Sequence, residues 1–263
     1  MLVAGSEGTG RNKVATEILA RYPKKRPPLS PEHEAVYARE YAINRTGSGL
    51  YGVVHGLESW MHRRVADRTG KGALLELGAG GLNHVTYEHG LSRYDVCEPL
   101  AQLCESSPNR GQVDDVLAGY DALASLVGQR SYDRIASVAV LEHLENLPAV
   151  VATAALLLRP DGIFQAGLPS EGGFLWGLSW RGTTGLAYRL RTGLDYTTLM
   201  RHEHLNSIDE ICEVIGCFFG KVAKSTFPPL GKHLSWYTYL EASEPDVGNC
   251  RAFLARQATV GAS

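Results

Sequence analysis

From residue 73 onward, short apolar segments alternate with segments of helical pattern, and this alternation constrains the fold more than any other feature of the sequence. Strands are predicted at Ala73–Leu77, Tyr94–Cys97, within 112–120, at Arg134–Ala139 and at Ile163–Leu168. Helices are predicted near 82–89, 99–105, 121–128 and 146–158. Several of the strands are continuously apolar, as strands covered on both faces are. Such alternation indicates a parallel sheet with right-handed crossover connections.

The segments on either side of this core are predicted to be additions to it. Residues 1–30 are an N-terminal arm and linker, in which Pro23–Pro28 is expected to be exposed because prolines block helix and charges favour water. Residues 31–71 are predicted as a helical cap. The main domain spans 72–245, includes an insert at about 171–206 on the substrate side, and is followed by a C-terminal tail at 246–263. After the insert a helix is predicted at Ile208–Ile215, and Phe218–Lys224 and Leu234–Leu240 are predicted to close the sheet.

Composition argues against several classes of protein. The 263 residues include 26 Lys or Arg and 28 Asp or Glu, so no overall basic charge attracts nucleic acid or anionic lipid. The longest strongly apolar run, Ala149–Leu158, has about half of the roughly 20 residues that a membrane span needs. The five cysteines form no C-x-x-C pair, so neither a disulfide framework nor a zinc ribbon is expected. We expect a cytoplasmic protein, with no nucleic-acid partner, membrane insertion or metal site, and leave a homodimer open.

The segment from Leu74 to His84 is the most informative about function. A strand bearing Glu76 leads into a glycine turn and then into a predicted helix, whose N-terminus would attract an anion. Glycines at 78 and 80 let the backbone approach a ligand and adopt positive φ. A dinucleotide-binding turn needs a third glycine at position 83, where this chain has Asn83. Glu98 closes the second strand, where a carboxylate can accept both hydroxyls of a ribose. These features favour S-adenosylmethionine over NAD as the ligand.

Four ordered motifs resemble those of class I S-adenosylmethionine-dependent methyltransferases. They are Glu76–Gly80, Glu98 at the end of strand two, Tyr132–Leu144 and Leu158–Phe164. The resemblance covers about residues 72–168 in motifs and continues to about 241 in layout. It implies an α/β fold, with a seven-stranded, mostly parallel Rossmann-like sheet, helices on both faces and an antiparallel last strand. Many members carry a third alternate glycine where this chain has Leu82.

The resemblance also implies S-adenosylmethionine as the cofactor and a set of residues that bind it. Gly78, Ala79 and Gly80 would line its methionine and ribose parts, and Glu76 would orient its amino group. Glu98, beside Pro99, would hold the ribose hydroxyls. Asp121, beside Ala122, would meet the adenine amino group, with Asp114 or Asp115 as alternatives. Val138 and Ala139 would lie along the cofactor at the end of strand four.

Two histidines are candidate catalytic residues. The resemblance places His143 beside the point of methyl transfer, and a histidine there suits a general base, which accelerates reaction of a hydroxyl by about 10²–10⁴-fold. His204, in Arg201–His204, is a candidate second base or substrate contact; a surface loop with capping histidines explains it equally well. Aromatic and arginine side chains in 171–206 suit a sugar or another ring, and a lid packed on the helical cap is the alternative.

The predicted function is methyl transfer to a small molecule, first of all to a hydroxyl of a sugar or glycan precursor. Two alternatives are kept. One is an NAD-dependent oxidoreductase, which Asn83 opposes, and the other is a methyltransferase-like binding protein that performs no transfer. Methylation of nucleic acid is disfavoured by the charge balance of the chain. It is also disfavoured because Val140–His143 stands after strand four, where an enzyme that methylates nucleic acid would be expected to have an Asn-Pro-Pro-Tyr-like segment.

Overall fold

A seven-stranded sheet lies at the centre of the part of the chain that the structure describes. The computed structural model describes residues 17–37, 52–66 and 72–261. The strands are β1 (Ala73–Leu77), β2 (Arg93–Cys97), β3 (Val116–Leu117), β4 (Tyr132–Val138), β5 (Leu158–Pro169), β6 (Phe219–Phe227) and β7 (Tyr237–Pro245). Their order across the sheet is β3-β2-β1-β4-β5-β7-β6. The pairs from β3 to β5 are parallel, whereas β7 is antiparallel to both of its neighbours.

Helices cover the sheet on both faces. Residues 17–19 and 31–37 are helical. The longer elements are α1 (Gly52–Ala66), α2 (Ala101–Glu105), α3 (Leu123–Leu126), α4 (Leu147–Leu157), α5 (Phe174–Trp180), α6 (Leu186–Thr192), α7 (Tyr196–Glu203), α8 (Ile208–Phe218) and α9 (Val247–Gly261). A π-helical turn, Arg181–Gly185, joins α5 to α6.

The alternation of side chains along the central strands explains why both faces need cover. In β1, whose five residues are all buried, Leu75 belongs to a core shared with α4, α8 and α9, whereas Leu74 packs with Met61 and Val65 of α1. Neighbouring side chains of a strand point to opposite faces, so a strand apolar at every position requires two layers of helix. The predicted fold class is confirmed, including the antiparallel strand near the end.

Three predictions about individual segments need correction. The helix predicted at 82–89 is a single 3₁₀ turn, His84–Tyr87, because Leu82 has a left-handed backbone (φ 62°) and Gly90 (φ 71°) ends the segment. The predicted tail forms α9, which buries Cys250 and Phe253 against the core. The first closing strand runs to Phe227, and the second begins only at Tyr237.

The predicted additions are described in part. The insert at 171–206 consists mainly of α5, α6 and α7. Of the helical cap, residues 31–37 and α1 are helical. Residues 38–51 and 67–71 of the cap lie outside the described residues, as do residues 1–16 of the arm. No helix in the described part of the chain combines the length and apolarity that crossing a membrane requires.

Candidate functional site

The turn after β1 forms an open backbone cradle. Gly78 and Gly80 have positive φ values of 72° and 51°. A Cβ at Gly78 would lie 2.3 Å from Val140 Cγ2, so this glycine is required by packing. A Cβ at Gly80 would meet no atom within 4 Å, so this side of the turn faces empty space. Leu82 adopts the same left-handed region with its side chain fully buried. The chain therefore keeps the positive φ at position 82 without a glycine.

The two acids predicted from the strand ends flank this turn. Glu76 is buried, its Oε2 accepts a 2.6 Å hydrogen bond from Tyr94 Oη, and burial raises its pKa. The Oε2 atom of Glu98 accepts a 2.8 Å hydrogen bond from the Gly80 amide, and its Oε1 accepts one of 3.0 Å from the Leu100 amide. Glu98 thus fixes the glycine turn as well as lying beside it, a structural role that the sequence did not indicate.

Two cavities meet at the turn. The larger, of about 530 Å³, is lined by Gly78, Gly80, Glu98, Pro99, Ala139 and His143 among others. The smaller, of about 200 Å³, shares Gly78, Gly80 and Ala139 with it and adds Glu76, Ala79 and Val138. Nine of the predicted site residues, including His143, therefore line these two adjoining cavities.

Asp121 and Ala122 line neither cavity. Asp121 is exposed on the 3₁₀ turn Tyr120–Ala122, and it is the neighbouring Tyr120 that lines the larger cavity. The predicted contacts of Asp121 and Ala122 with adenine find no support in this arrangement. The turn that contains them borders the larger cavity through Tyr120, and nothing in the sequence indicates which residue of the turn lines that cavity.

The ring of His143 is held in one orientation at the edge of the larger cavity. Its Nδ1 lies 2.8 Å from the backbone oxygen of Glu203. A carbonyl oxygen only accepts, so Nδ1 carries the hydrogen and, in the neutral ring, Nε2 keeps a free lone pair. Nε2 lies 3.8 Å from Oε1 of Glu142, a carboxyl whose pKa burial raises. The second oxygen of that carboxyl, Oε2, has no hydrogen-bond partner among the described residues.

The second predicted histidine lies against the first. The rings of His143 and His204 meet edge to face with centroids 4.7 Å apart. His204 Nδ1 is 2.6 Å from Glu171 Oε1. Burial lowers the pKa of His204, but the close carboxylate of Glu171 and the charge of Glu142 outweigh it, and the pKa is raised. The two histidines are therefore chemically different, one presenting a free lone pair and the other paired with a carboxylate.

A third cavity, of about 300 Å³, lies within the insert beside His204. Trp176 and Trp180 line it, together with Glu171 and Arg181. Trp176 Nε1 donates to Glu171 Oε1 at 2.8 Å, and the guanidinium of Arg181 lies over the Trp180 ring, 4.5 Å from its centroid. Of the aromatic and arginine side chains in the insert, Trp176, Trp180 and Arg181 thus form part of a cavity wall.

Sequence reasoning missed the contribution of the N-terminal segment. Arg26, predicted to be part of an exposed linker, lines the larger cavity, and its Nη2 donates to the His143 carbonyl at 2.9 Å. The hydroxyl of Tyr37 donates to Glu203 Oε1. Lys24 donates to the Leu205 carbonyl and to Glu210, each at 2.8 Å. A basic segment between prolines resembles an ordinary surface linker, so no local signal distinguished these contacts.

Within the described residues, no group of three or more His, Cys, Asp or Glu side chains is placed to hold a metal ion.

Comparisons with known proteins agree on the fold. No family model matches the chain, and no curated protein matches it. Among solved structures, an O-methyltransferase family protein from Burkholderia thailandensis is 15% identical with a TM-score of 0.53, over 90% of this chain and 69% of that one. The CurJ carbon methyltransferase is 20% identical with a TM-score of 0.52, over 72% of this chain and 55% of that one.

A third solved structure is that of a protein described as a possible N-methyltransferase. A protein from Thermotoga maritima, described as an S-adenosylmethionine-dependent methyltransferase and possible histamine N-methyltransferase, is 14% identical with a TM-score of 0.52. It is matched over 79% of this chain and 96% of its own. The three proteins are described as acting on oxygen, carbon and nitrogen, so their likeness speaks to architecture and not to the acceptor. The chain has the fold of the class I S-adenosylmethionine-dependent methyltransferases.

Proposed function

We propose that this protein transfers a methyl group from S-adenosylmethionine to a hydroxyl of a small molecule. The observation that carries the proposal is that His143, with a free lone pair on Nε2, lines the same cavity as the glycine turn and Glu98. A cradle for a ligand and a base for an acceptor thus share one space. The solved structures with the same fold support the reaction class.

The residues around the turn fit this cofactor. The open side of Gly80 accommodates a ligand against the backbone. Glu98, in the larger cavity, would hold the ribose hydroxyls, and Glu76, in the smaller one, would hold the ammonium group. When bound, S-adenosylmethionine supplies a sulfonium methyl group for an in-line displacement.

The role we propose for His143 follows from its hydrogen bonds. The Glu203 carbonyl fixes the Nδ1 hydrogen, so Nε2 accepts the proton of an acceptor hydroxyl as that oxygen becomes the nucleophile. The resulting imidazolium lies near the carboxyl groups of Glu142 and Glu203, at 3.8 Å and 3.6 Å, which favour the positive charge. The protein otherwise aligns the two reactants and excludes water.

The cavity within the insert is our proposed acceptor site. Trp176 and Trp180 offer aromatic faces on which a sugar or another ring can stack, and Arg181 can pair with a phosphate or carboxylate. His204 lies between this cavity and His143, where it would contact the acceptor or act as a second base. A sugar or glycan precursor is therefore the acceptor class to be tested first.

Two alternatives make different predictions about ligands. An NAD-dependent enzyme needs a helix N-terminus for the pyrophosphate, but a lone 3₁₀ turn follows the glycines here, and Asn83 stands at the third glycine position. A thermal shift with S-adenosylhomocysteine and none with NAD supports the proposal, since a ligand at 100 times its Kd stabilises by about 2.7 kcal/mol. The reverse result refutes it.

The His143→Ala variant separates an enzyme from a protein that only binds the cofactor. With labelled S-adenosylmethionine and a panel of sugars and phenols, we expect kcat to fall by about 10²–10⁴-fold while the Kd for S-adenosylhomocysteine changes less than about threefold. His89→Ala, at an exposed histidine, is the matched control. Equal turnover by His143→Ala and the native protein refutes the role of His143 as general base. If the native protein transfers methyl to no acceptor, the alternative of a protein that only binds the cofactor is favoured.

A further inference from the structure

A chain of four polar side chains runs inward from the smaller cavity. His62 of α1 and His84 face each other with their Nδ1 atoms 3.1 Å apart. His84 Nε2 lies 3.0 Å from Oε1 of Glu88. Glu88 in turn accepts two hydrogen bonds from the guanidinium of Arg134, both of 2.9 Å. His84, Glu88 and Arg134 are all buried, so the order of donors and acceptors along the chain is tightly constrained.

The hydrogen bonds fix the tautomers of both histidines. Burial would raise the pKa of Glu88, but the hydrogen bonds from His84 and Arg134 lower it, so Glu88 is a carboxylate and only accepts. His84 Nε2 therefore carries a hydrogen, and in the neutral ring its Nδ1 has the lone pair. His62 Nδ1 must then be the donor between the rings, which leaves a lone pair on His62 Nε2. That nitrogen has no partner among the described residues.

The described residues that line the smaller cavity include no lysine or arginine that could pair with the carboxylate of an amino-acid ligand. Both histidines and Glu76 line this cavity. On the proposed function, the amino-acid end of the cofactor enters here, with its ammonium toward Glu76 and a carboxylate still to be placed. Of the described residues that line the cavity, only the two histidines can become positive near neutral pH. Without a ligand His62 is neutral near pH 7, because burial, and then His84, lower its pKa to about 3.

We propose that binding of the cofactor's α-carboxylate takes up one proton on the His62–His84 pair. The proton comes from solvent and adds to the lone pair of His62 Nε2, which changes from an acceptor to a donor toward the carboxylate. No other bond forms or breaks. The hydrogen between the two Nδ1 atoms can cross to His84, which places the positive charge beside Glu88. The inference rests on the proposed function and adds a linkage between cofactor affinity and pH.

The groups packed around the pair fit this role. The ring of Tyr87 stacks on His62, with centroids 5.1 Å apart and planes 8° apart, and holds it in place. Glu88, which contacts His84, favours a positive charge on that ring. Arg134, which pairs with Glu88, opposes a positive charge on His84 from a longer distance. Glu76, bonded to Tyr94, titrates in the same cavity and can release a proton when an ammonium binds. A test must therefore separate the histidine pair from Glu76.

Calorimetric titration with S-adenosylhomocysteine, repeated in buffers of different ionisation enthalpy, measures the protons taken up. At pH 6.0 we expect the native protein to take up at least about half a proton more than His62→Gln, which keeps a donor but cannot titrate. From pH 5.5 to 7.5 the native Kd rises relative to that of His62→Gln, by at most about tenfold per pH unit. Comparing the two proteins cancels contributions from Glu76 and from the ligand's own amine.

Two controls define the outcomes. His89→Gln, at an exposed histidine close in sequence to the pair, keeps the native proton number, and 5′-methylthioadenosine, which lacks the amino acid, gives no difference between native protein and His62→Gln. In ¹⁵N spectra the native protein gains a protonated imidazole nitrogen when S-adenosylhomocysteine binds. Binding with equal proton numbers in both proteins overturns this inference and leaves the proposed function standing. No binding of S-adenosylhomocysteine by any of the proteins overturns both.

Discussion

Alanine at Gly78 and at Gly80 should have different consequences, although both glycines have positive φ. A left-handed backbone costs a residue with a Cβ about 1–2 kcal/mol, and the stiffer unfolded chain returns about 0.4–1 kcal/mol, so Gly80→Ala should lose roughly 1 kcal/mol of stability. Gly78→Ala adds a Cβ 2.3 Å from Val140 Cγ2, and overpacking of this kind costs a further ~1–3 kcal/mol. We therefore expect Gly78→Ala to lose about 2–4 kcal/mol.

Urea denaturation of both variants and calorimetry with S-adenosylhomocysteine test this difference. Gly80 lines both cavities and its added Cβ would meet no other atom of the protein, so the affinity of Gly80→Ala should fall at least about tenfold despite the small loss of stability. Adding Val140→Ala removes the overlap at position 78, and the double variant should be no less stable than Gly78→Ala alone. Equal stability of the two single variants, or native affinity in Gly80→Ala, refutes the reasoning.

Two further predictions concern the framework around the site. Leu82→Gly relieves a backbone strain of about 1–2 kcal/mol but removes a fully buried leucine side chain worth about 2–5 kcal/mol. Urea denaturation should therefore show a net loss of stability. A gain of stability would contradict this account of the turn. Burial would raise the pKa of Glu210, but Lys24 and Ser207 lower it, so its ion pair stabilises the fold above the ordinary carboxyl pKa and that contribution is lost as acid protonates it. Glu210→Gln keeps an oxygen for the capping box, and should therefore cost about 0.5–1 kcal/mol at pH 7 and progressively less as the pH falls below the ordinary carboxyl pKa. A cost that does not change with pH would exclude the ion pair as its source.

The glycine turn and its acids could be predicted because they are local in sequence and lie at strand ends. Parallel strands bring their carboxyl ends to one edge of the sheet, so Glu76, Glu98 and Ala139 had to meet there once the strands were recognised. The backbone of Leu82 could not be predicted, since leucine rarely has positive φ. The left-handed backbone of Leu82, rather than a low helix propensity of the sequence, prevents an α-helix from starting at the turn.

The residues missed by sequence reasoning reach the site from distant parts of the chain. Arg26 bonds to a carbonyl 117 positions away, and Tyr37 bonds to Glu203, 166 positions away. His62 comes from a helix that precedes the sheet and meets His84 only through tertiary packing. A tyrosine or histidine at helical spacing has the same pattern whether it packs in a core or lines a cavity. Only the packing of α1 and the N-terminal segment against the sheet distinguishes the two.

A buried amide explains how two histidines from separate loops stay together. Asn206 Nδ2 donates to the carbonyls of Leu141 and Leu144, on either side of His143, at 2.9 and 2.8 Å. The amides of residues 205 and 206, just after His204, both donate to the Glu142 carbonyl, and Tyr22 donates to Asn206 Oδ1. The two loops are thus joined through backbone groups and one asparagine, none of which belongs to α5 or α6. Trp176 and Trp180 of α5, which line the proposed acceptor cavity, take no part in these bonds. On the proposed function, they can therefore be exchanged to suit a different acceptor while the separation of His143 and His204 stays the same.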